Sequence, residues 1–338
     1  MEKENKYVLQ YPSIMKGKKI LYVHGFMSSA QSGTVARISE LLPSADVVAY
    51  DLPLHPEEAM TLLRKVCSEE KPDLIIGTSM GGMYTEMLYG YDRILVNPAF
   101  LMGDTMTKHG MLGKQTFQNP RKDGVQEFIV TKSLVEEYKE ITRQCFSAVS
   151  EEEQKRVYGL FGDADTMVAA ETWGVFRQHY TQAIRFHGEH RLIDKSLIHA
   201  VIPVVRWIDD KQEGRERPVI YVSIDALRDE CGNQKPSAMK GYQKLLDSYA
   251  VYVVAPSPTN NPEYFQQTEQ WVNDVVNVPA WQRLIFSNQT SLLYGDYFIA
   301  PEKECDEADF MGTSIPLGSD TFKTWDEIIE FYDRLGGQ

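Results

Sequence analysis

Residues 73–82 read DLIIGTSMGG and decide the fold of the first part of the chain. The apolar run at residues 73–76 predicts a buried strand, residues 77–81 fit G-x-S-x-G, and residues 82–89 have a helical pattern. A sharp turn from strand to helix needs small residues beside its central serine, and it lifts that hydroxyl above the sheet at the positive end of a helix. We therefore expect Ser79 to be a nucleophile rather than a helix cap.

Strand and helix patterns alternate on both sides of this turn. The predicted strands are residues 19–23, 46–50, 73–76, 93–96, 156–161 and 183–186. This alternation predicts a parallel sheet with helices on both faces, joined by right-handed crossovers. It pauses at about residues 100–150, where one helix is predicted over 133–146. We interpret this stretch, which contains Met102, Met106 and Met111, as an inserted lid over an apolar site.

A serine nucleophile needs a base, and the base needs a carboxylate that orients it. In this architecture the acid and the histidine follow the serine in that order, on loops after later strands. Asp165 is the expected acid, with Asp163 as the alternative because a shift of two residues in the loop would exchange them. His190 is the expected base because it lies in the loop before the last helix, whereas His187 is assigned to the strand end.

The oxyanion that forms during acyl attack needs two hydrogen-bond donors in fixed positions. The backbone N–H of Met80 follows the nucleophile directly, and the backbone N–H of Phe26 follows the His-Gly pair that ends the first strand. These two groups are the expected oxyanion hole. His24 is interpreted as a support for the loop and not as the base.

The composition limits the partners of this chain. Among its 338 residues, Lys and Arg number 35 and Asp and Glu number 48, so the net charge is −13. An acidic chain with no basic tract has little to attract phosphates, so neither nucleic acid nor a membrane surface is an expected partner. The charged residues 1–6 lead into no apolar signal core, which favours a cytoplasmic protein. No zinc-type cysteine spacing is present, and we expect neither a metal nor a cofactor.

Residues 209–218 consist almost entirely of charged residues, Gly and Pro, and are interpreted as a linker. We therefore place one domain at residues 1–212 and a second at residues 213–338. From Arg215 onward the chain has 10 Lys and Arg against 19 Asp and Glu, a net charge of −9, which leaves −4 for the rest. The second domain is thus the more acidic one.

Four segments of the first domain carry a family resemblance. They are LYVHGFMSS at 21–29, GTSMGG at 77–82, VNPA at 96–99 and GEH at 188–190. Together they resemble the YqiA-type small esterases of the α/β-hydrolase superfamily over roughly residues 18–210. The resemblance implies an α/β-hydrolase fold and metal-free esterase or thioesterase activity on acyl substrates. The acid loop is longer here than is usual in that family, so Asp163 and Asp165 both stay open.

The second domain resembles a different family. The segments VIYVSID at 219–225, VYVVAPSP at 251–258, WQRLIF at 281–286, GDYFI at 295–299 and TWDEI at 324–328 are similar to 5'(3')-deoxyribonucleotidases. Those enzymes are phosphatases of the haloacid dehalogenase superfamily, which implies a Rossmann-like fold over about residues 217–335.

The catalytic residues implied by that second resemblance are missing. Ser223 stands where the family has its attacking Asp, and only Asp225 of the Asp-x-Asp pair remains. Ala255 replaces the residue that holds the phosphoryl group, Thr290 replaces the Lys, and residues 300–301 (Ala-Pro) replace the metal-binding carboxylates. Phosphoryl transfer depends on such charges, so we expect a catalytically dead domain whose Asp225 and Asp296 are turn or capping residues.

The sequence therefore predicts a serine hydrolase for esters or thioesters of small to medium acyl groups. The alternatives are a ligand-binding or scaffolding protein with two non-catalytic domains, and a nucleotidase if the alignment at Ser223 is wrong. Peptidase and acyltransferase chemistry would use the same triad. Acyl-chain length, the leaving group and the oligomeric state stay open, and self-association or docking is the role left to the second domain.

Overall fold

The computed structural model describes residues 14–168 and 170–336, so the charged residues 1–6 lie outside the described part. The chain divides into two compact units between Glu213 and Gly214. We call the part before this point unit 1 and the part after it unit 2.

Unit 1 is built on a six-stranded parallel sheet in the order β2-β1-β3-β4-β7-β8. Its strands are β1 (Lys19–Val23), β2 (Asp46–Ala49), β3 (Leu74–Thr78), β4 (Arg93–Val96), β7 (Val157–Gly162) and β8 (Ala183–Phe186). The central strands β3 and β4 are buried along almost their whole length, as expected for a parallel sheet covered on both faces. Unit 1 thus has the mixed α/β fold with a parallel sheet that the sequence predicted.

Helices connect these strands and cover the sheet. They are α1 (Gly33–Leu41), α2 (Pro56–Glu70), α3 (Met80–Glu86), α7 (Glu171–His179), α8 (Asp194–Ser196) and α9 (Ile202–Glu213), with a π-helical stretch, Leu197–Val201, between the last two. The amphipathic helix α2 shows why they pack: it buries Ala59, Met60 and Leu63 on one face.

The inserted segment contains more structure than the sequence predicted. Its elements are α4 (Met102–Lys108), an antiparallel hairpin of β5 (Gly113–Thr116) and β6 (Glu127–Val130), α5 (Lys132–Thr142) and α6 (Glu151–Gln154). The predicted helix over 133–146 ends at Thr142. The hairpin escaped prediction because its strands are short and mostly exposed, so they lack the alternation of a half-buried strand.

The expected linker at residues 209–218 is wrong in its first half, because α9 continues to Glu213. Asp209 is only 1% exposed, and its carboxylate accepts a hydrogen bond of 2.7 Å from Lys18 Nζ. Glu213 pairs with the same ammonium group at 2.6 Å. Lys18, almost 200 positions earlier in the sequence, thus pairs with two of the carboxylates that resembled part of a solvated linker.

Unit 2 is a second parallel sheet, of five strands in the order β11-β10-β9-β12-β13. The strands are β9 (Val219–Ser223), β10 (Ala250–Ala255), β11 (Leu284–Phe286), β12 (Tyr297–Pro301) and β13 (Thr313–Leu317). The helices are α10 (Ile224–Leu227), α11 (Ala238–Leu245), α12 (Pro262–Val275), α13 (Glu302–Glu307) and α14 (Trp325–Gly336), with short 3₁₀ turns at Val278–Ala280 and Thr290–Leu292. Trp325 anchors the core, since it is 1% exposed and its indole N–H donates to Ala226 O.

Candidate active site

The turn from β3 to α3 has the geometry of a nucleophile elbow. Ser79 has a φ of +55°, a conformation that a residue with a side chain adopts only at a cost. The glycines on either side are needed because a Cβ atom on Gly77 would lie 2.2 Å from Thr85 Oγ1, and one on Gly81 would lie 2.1 Å from Val23 O. The G-x-S-x-G pattern therefore reflects close packing against β1 and α3, with the serine left half-buried.

Three side chains from three loops meet at this turn. Ser79 Oγ lies 3.0 Å from His190 Nε2, and His190 Nδ1 lies 2.8 Å from Asp165 Oδ2. His190 follows β8, and Asp165 follows β7, so both come from the carboxyl end of the sheet where such sites gather. The structure thus brings together the three residues that the sequence selected.

The carboxylate of Asp165 is held in place by the backbone. Its Oδ1 accepts hydrogen bonds from the N–H of Met167 at 2.7 Å and of Val168 at 3.3 Å, which leaves Oδ2 for His190. The Asp165 side chain is 4% exposed and the His190 side chain is 21% exposed. A fixed, buried carboxylate next to a partly exposed imidazole can orient the ring and stabilise its charged form.

The alternative acid, Asp163, contacts a different histidine. Its Oδ2 pairs with His187 Nδ1, and its Oδ1 accepts from the N–H of Gly188 at 3.1 Å. Burial raises the pKa of Asp163, but the hydrogen bonds from His187 and Gly188 outweigh it and hold the pKa below its usual range. The structure therefore places Asp165 and not Asp163 against His190, and Asp163 joins the end of β7 to the loop after β8.

His24 supports the loop after β1. It is 2% exposed, and its Nδ1 lies 2.8 Å from Gly25 O while its Nε2 accepts from the N–H of Leu52 at 3.2 Å. Burial lowers the pKa of His24, which matches one ring nitrogen donating and the other accepting. Both ring nitrogens are occupied by the backbone, so the ring has no proton-transfer position facing Ser79.

The two expected oxyanion donors flank the serine. Met80 is the first residue of α3, and its backbone N–H belongs to the unpaired first turn of that helix. Gly25 lies so close that an added Cβ would stand 3.3 Å from Ser79 Cβ, which places the loop carrying Phe26 against the elbow. Within residues 14–168 and 170–336, neither the Phe26 nor the Met80 N–H has a protein acceptor. Both stay candidates for the oxyanion hole.

A cavity of about 970 Å³ opens in front of Ser79 and His190. Its apolar wall includes Phe26, Met27, Met102, Met111, Met167 and Leu192. The insertion supplies Met102 and Met111, as a lid would, whereas Met106 is fully buried in the hydrophobic core. Sequence reasoning did not single out Met167 or Leu192, although each stands two residues after a predicted triad member.

The insertion is tied to the loop after β1 by three hydrogen bonds. Gln118 N–H donates to Met27 O at 2.8 Å, Ser29 Oγ donates to Pro120 O at 2.6 Å, and Asn119 Nδ2 donates to Ser28 Oγ at 3.2 Å. The same loop carries the Phe26 N–H. The insertion, which lines the cavity, and the loop that carries one candidate oxyanion donor are therefore linked directly by hydrogen bonds.

In unit 2 the polar groups at the carboxyl end of β9 form hydrogen bonds with one another. Ser223, at the end of β9, donates to Glu304 Oε2 at 2.7 Å and accepts from the N–H of Asp225 at 3.2 Å. Lys235, which the sequence did not single out, donates from Nζ to Asp225 O at 2.5 Å. Burial raises the pKa of Glu304, although the hydrogen bond from Ser223 opposes this. Asp225 is itself exposed in the first turn of α10.

The other positions of unit 2 where the sequence lacks a phosphatase residue lie at strand ends or in a turn. Ala255 ends β10, Pro301 ends β12, and Thr290 begins a 3₁₀ turn. Asp296 has a structural contact, since its Oδ2 accepts from the N–H of Val219, the first residue of β9, at 2.7 Å. Over the described parts of both units, no group of three or more His, Cys, Asp or Glu side chains is placed to hold a metal ion. Each described helix is also too short or too polar to cross a membrane.

Comparison with known proteins gives a separate result for each part of the chain. A model of the family described as "Uncharacterised protein family (UPF0227)" matches residues 19–202. The C-terminal part is similar to a protein of Vibrio phage KVP40 described as "Putative 5'(3')-deoxyribonucleotidase". That similarity is 26% identity over 127 residues, which is 37% of this chain and 70% of the phage protein.

Solved structures similar to the chain include Est1E from Butyrivibrio proteoclasticus with ferulic acid bound. The alignment has 16% identity and a TM-score of 0.41, and it covers 60% of this chain and 90% of Est1E. Mouse alpha/beta hydrolase domain-containing protein 10 aligns with 15% identity and a TM-score of 0.40, over 57% of this chain and 90% of the mouse chain.

Proposed function

The chain belongs to the UPF0227 family, and we propose that unit 1 is a serine hydrolase that cleaves carboxylic esters or thioesters. The observation that carries this proposal is the continuous line of hydrogen bonds from Asp165 through His190 to Ser79. A serine paired in this way on a strained turn is what nucleophilic acyl transfer requires.

The chemical steps follow from this arrangement. Ser79 Oγ attacks the acyl carbon while His190 Nε2 takes its proton, and Asp165 stabilises the imidazolium through Nδ1. The carbonyl oxygen becomes an oxyanion, which the N–H groups of Phe26 and Met80 bind. His190 returns the proton to the leaving alcohol or thiol, and an acyl-serine remains. A water molecule, deprotonated by His190, then releases the acid and restores Ser79.

The cavity favours an acyl group of small to medium size. Its volume of about 970 Å³ is in the range of pockets that enclose small organic ligands. Methionine side chains on its wall can adapt to different apolar shapes. Esters and thioesters fit equally well, because the triad needs only a reactive carbonyl and a leaving group that accepts a proton.

We propose no catalysis for unit 2. The Ser223 hydroxyl and the Glu304 carboxylate bind each other where a phosphatase would need a free nucleophile and a metal-binding carboxylate. A role in packing, docking or self-association remains for this unit. The interpretation of the whole chain as a binding or scaffolding protein is weaker, because a binding protein has no need for a serine on a strained turn.

The proposal can be tested with p-nitrophenyl esters of increasing chain length and a matched acyl thioester. The wild-type chain should hydrolyse at least one of them, and Ser79→Ala should lose about 10⁴-fold or more in kcat because triad residues act as a unit. A fluorophosphonate probe should label Ser79 in the wild type. Labelling that persists at full extent in Ser79→Ala would contradict the assignment.

A further inference from the structure

The four residues 96–99 (Val-Asn-Pro-Ala) begin at the last residue of β4 and hold the nucleophile from both sides. The N–H of Ser79 donates to Val96 O at 2.9 Å, and the N–H of Ala99 donates to Ser79 O at 3.0 Å. Between them, Pro98 packs on the helix that begins at the elbow, since a Cβ atom on Gly82 would lie 3.0 Å from its ring. The segment has no group in the catalytic chain, yet it fixes the backbone of Ser79.

The side chain of Asn97 reaches the other two triad loops. Its Oδ1 accepts from the N–H of Gly162 at 2.7 Å, and Gly162 is the last residue of the strand that leads to Asp165. Its Nδ2 donates to Glu189 O at 3.0 Å and to His190 O at 3.2 Å. One amide group thus joins the acid loop to the histidine loop.

Burial and backbone geometry both set Asn97 apart from a packing residue. It is 1% exposed, so these hydrogen bonds do not compete with water. Its φ is +45°, a region that residues other than Gly, Asn and Asp seldom adopt. Of these three, only Asn offers both an acceptor for Gly162 and a donor for the histidine loop.

We propose that Asn97 is a positioning residue of the hydrolase: its amide sets the distance between His190 and Ser79 by tying the histidine loop to the acid loop. This inference rests on the proposed function. The imidazole touches the reacting atoms, whereas Asn97 acts only through the backbone at residues 162, 189 and 190. A small displacement of a catalytic base is enough to slow a reaction about 100-fold, so the effect should appear in kcat.

Two substitutions separate the parts of this role. Asn97→Gly keeps the left-handed backbone without strain and removes all three side-chain hydrogen bonds. Asn97→Asp keeps an oxygen for the N–H of Gly162 but turns a second oxygen towards the carbonyls of Glu189 and His190. It therefore releases the histidine loop selectively. In the full chain, both variants should lose about 10- to 100-fold in kcat, with KM within about threefold of the wild type.

Asn277→Gly is the matched control in unit 2. Asn277 also has a positive φ, of 61°, and its Nδ2 also donates to a backbone carbonyl, that of Asn273, at 2.9 Å. This variant should keep the wild-type kcat. Turnover is expressed per serine labelled by a fluorophosphonate after prolonged reaction, and circular dichroism verifies folding, so a smaller folded fraction cannot imitate a catalytic loss.

The inference is overturned if folded Asn97→Gly and Asn97→Asp keep the wild-type kcat, or if neither variant folds, which would make Asn97 a folding residue. If Asn97→Gly alone fails to fold, Asn97→Asp decides. The proposed function fails separately, if Ser79→Ala keeps its activity. An inactive Ser79→Ala together with fully active Asn97 variants would refute the positioning role and leave the hydrolase intact.

Discussion

Ser79 and Ser223 each lie where a buried parallel strand passes into a helix, one in each unit. Ser79 has a φ of +55° and offers its hydroxyl to His190 beside an open cavity. Ser223 has a φ of −60°, is 1% exposed, and uses its hydroxyl as the N-cap of α10 and as a donor to Glu304. The same residue type at the same kind of strand end is therefore a candidate nucleophile in one unit and a structural cap in the other.

The comparison indicates that the local turn geometry decides whether a serine hydroxyl at the end of a strand is available to a base. Both sheets gather polar side chains at the carboxyl ends of their strands, as the topology dictates. In unit 1 the turn leaves the serine free of its own helix, because no cap hydrogen bond forms at Ser79. In unit 2 the hydroxyl of Ser223 is already engaged in hydrogen bonds with Glu304 and with the N–H of Asp225. Three pairs of substitutions test this comparison.

The largest effect is expected for Asp165→Asn against Asp225→Asn. In the first variant the N–H groups of Met167 and Val168 would hold the oxygen of the new amide, so its NH₂ group would face His190 Nδ1. The imidazole would then keep its proton on Nε2 and could not accept the serine proton. We expect a loss of about 10⁴-fold in kcat for ester hydrolysis. Asp225→Asn should leave ester hydrolysis unchanged.

Phosphate release gives the reverse control for that pair. Neither the wild type nor Asp225→Asn should release phosphate from deoxynucleoside monophosphates with Mg²⁺. Release by the wild type that Asp225→Asn abolishes would show that unit 2 is a phosphatase, and the contrast between the two serines would collapse.

A smaller effect is expected at the cavity wall, for Met111→Ala against Met311→Ala. Met111 is 9% exposed and lines the cavity of unit 1, whereas Met311 is 82% exposed in unit 2. Shortening Met111 should shift the ratio of kcat/KM between long and short acyl esters about threefold to tenfold towards the longer chain. Met311→Ala should leave the ratio unchanged. Equal ratios in all three proteins would mean that Met111 does not border the acyl group.

The smallest effect concerns the stability of unit 2, and Glu304→Gln tests it. Burial raises the pKa of Glu304 above its ordinary value of 4.5, so the folded state holds this proton more tightly than the unfolded state. Well below pH 4.5 both states are protonated and no penalty exists. As the pH rises above 4.5 the unfolded state releases this proton first, so the unit loses stability, and the loss is complete above the folded-state pKa. Glu304→Gln should therefore slow amide exchange in β9 and β12 a few-fold at pH 7 and much less at pH 4.

The neighbouring Glu302 supplies the control for that measurement. It lies in the same helix and is exposed, so Glu302→Gln should leave exchange unchanged at both pH values. Exchange in Glu304→Gln that is as fast as in the wild type at pH 7 would mean that Ser223 already compensates for the burial of the carboxylate.

The elbow could be predicted from the sequence because its signal is local. Strand, glycines and helix lie within a few residues, and the close contacts of Gly77 and Gly81 explain why the pattern is strict. The choice of acid could not be predicted from spacing. Asp163 and His187 are 24 residues apart, and Asp165 and His190 are 25 apart, so each pair satisfies the same order. The three-dimensional contacts separate the two pairs: His190 reaches Ser79 Oγ, and it is the Asp165 carboxylate that faces His190, while that of Asp163 faces His187.

Long-range partners account for what the sequence concealed elsewhere. The charged residues at the end of α9 resembled a linker because Lys18, which pairs with Asp209, lies 191 positions earlier in the sequence. Asn97 lies within the VNPA segment that carries part of the family resemblance, but its hydrogen-bond partners are Gly162 and residues 189–190, far away in the sequence. Parallel strands bring such distant residues together through crossover connections, and no local sequence pattern predicts these contacts.

The sequence separation between Ser79 and His190 has a consequence for how the candidate site forms during synthesis. Ser79 and His190 are 111 positions apart. Because ribosomes add about 5–20 residues per second, His190 is synthesised roughly 6–22 s after Ser79. During that interval the nascent chain carries a nucleophile without its base. Ser79 and His190 can therefore meet only after nearly all of unit 1 has left the ribosome.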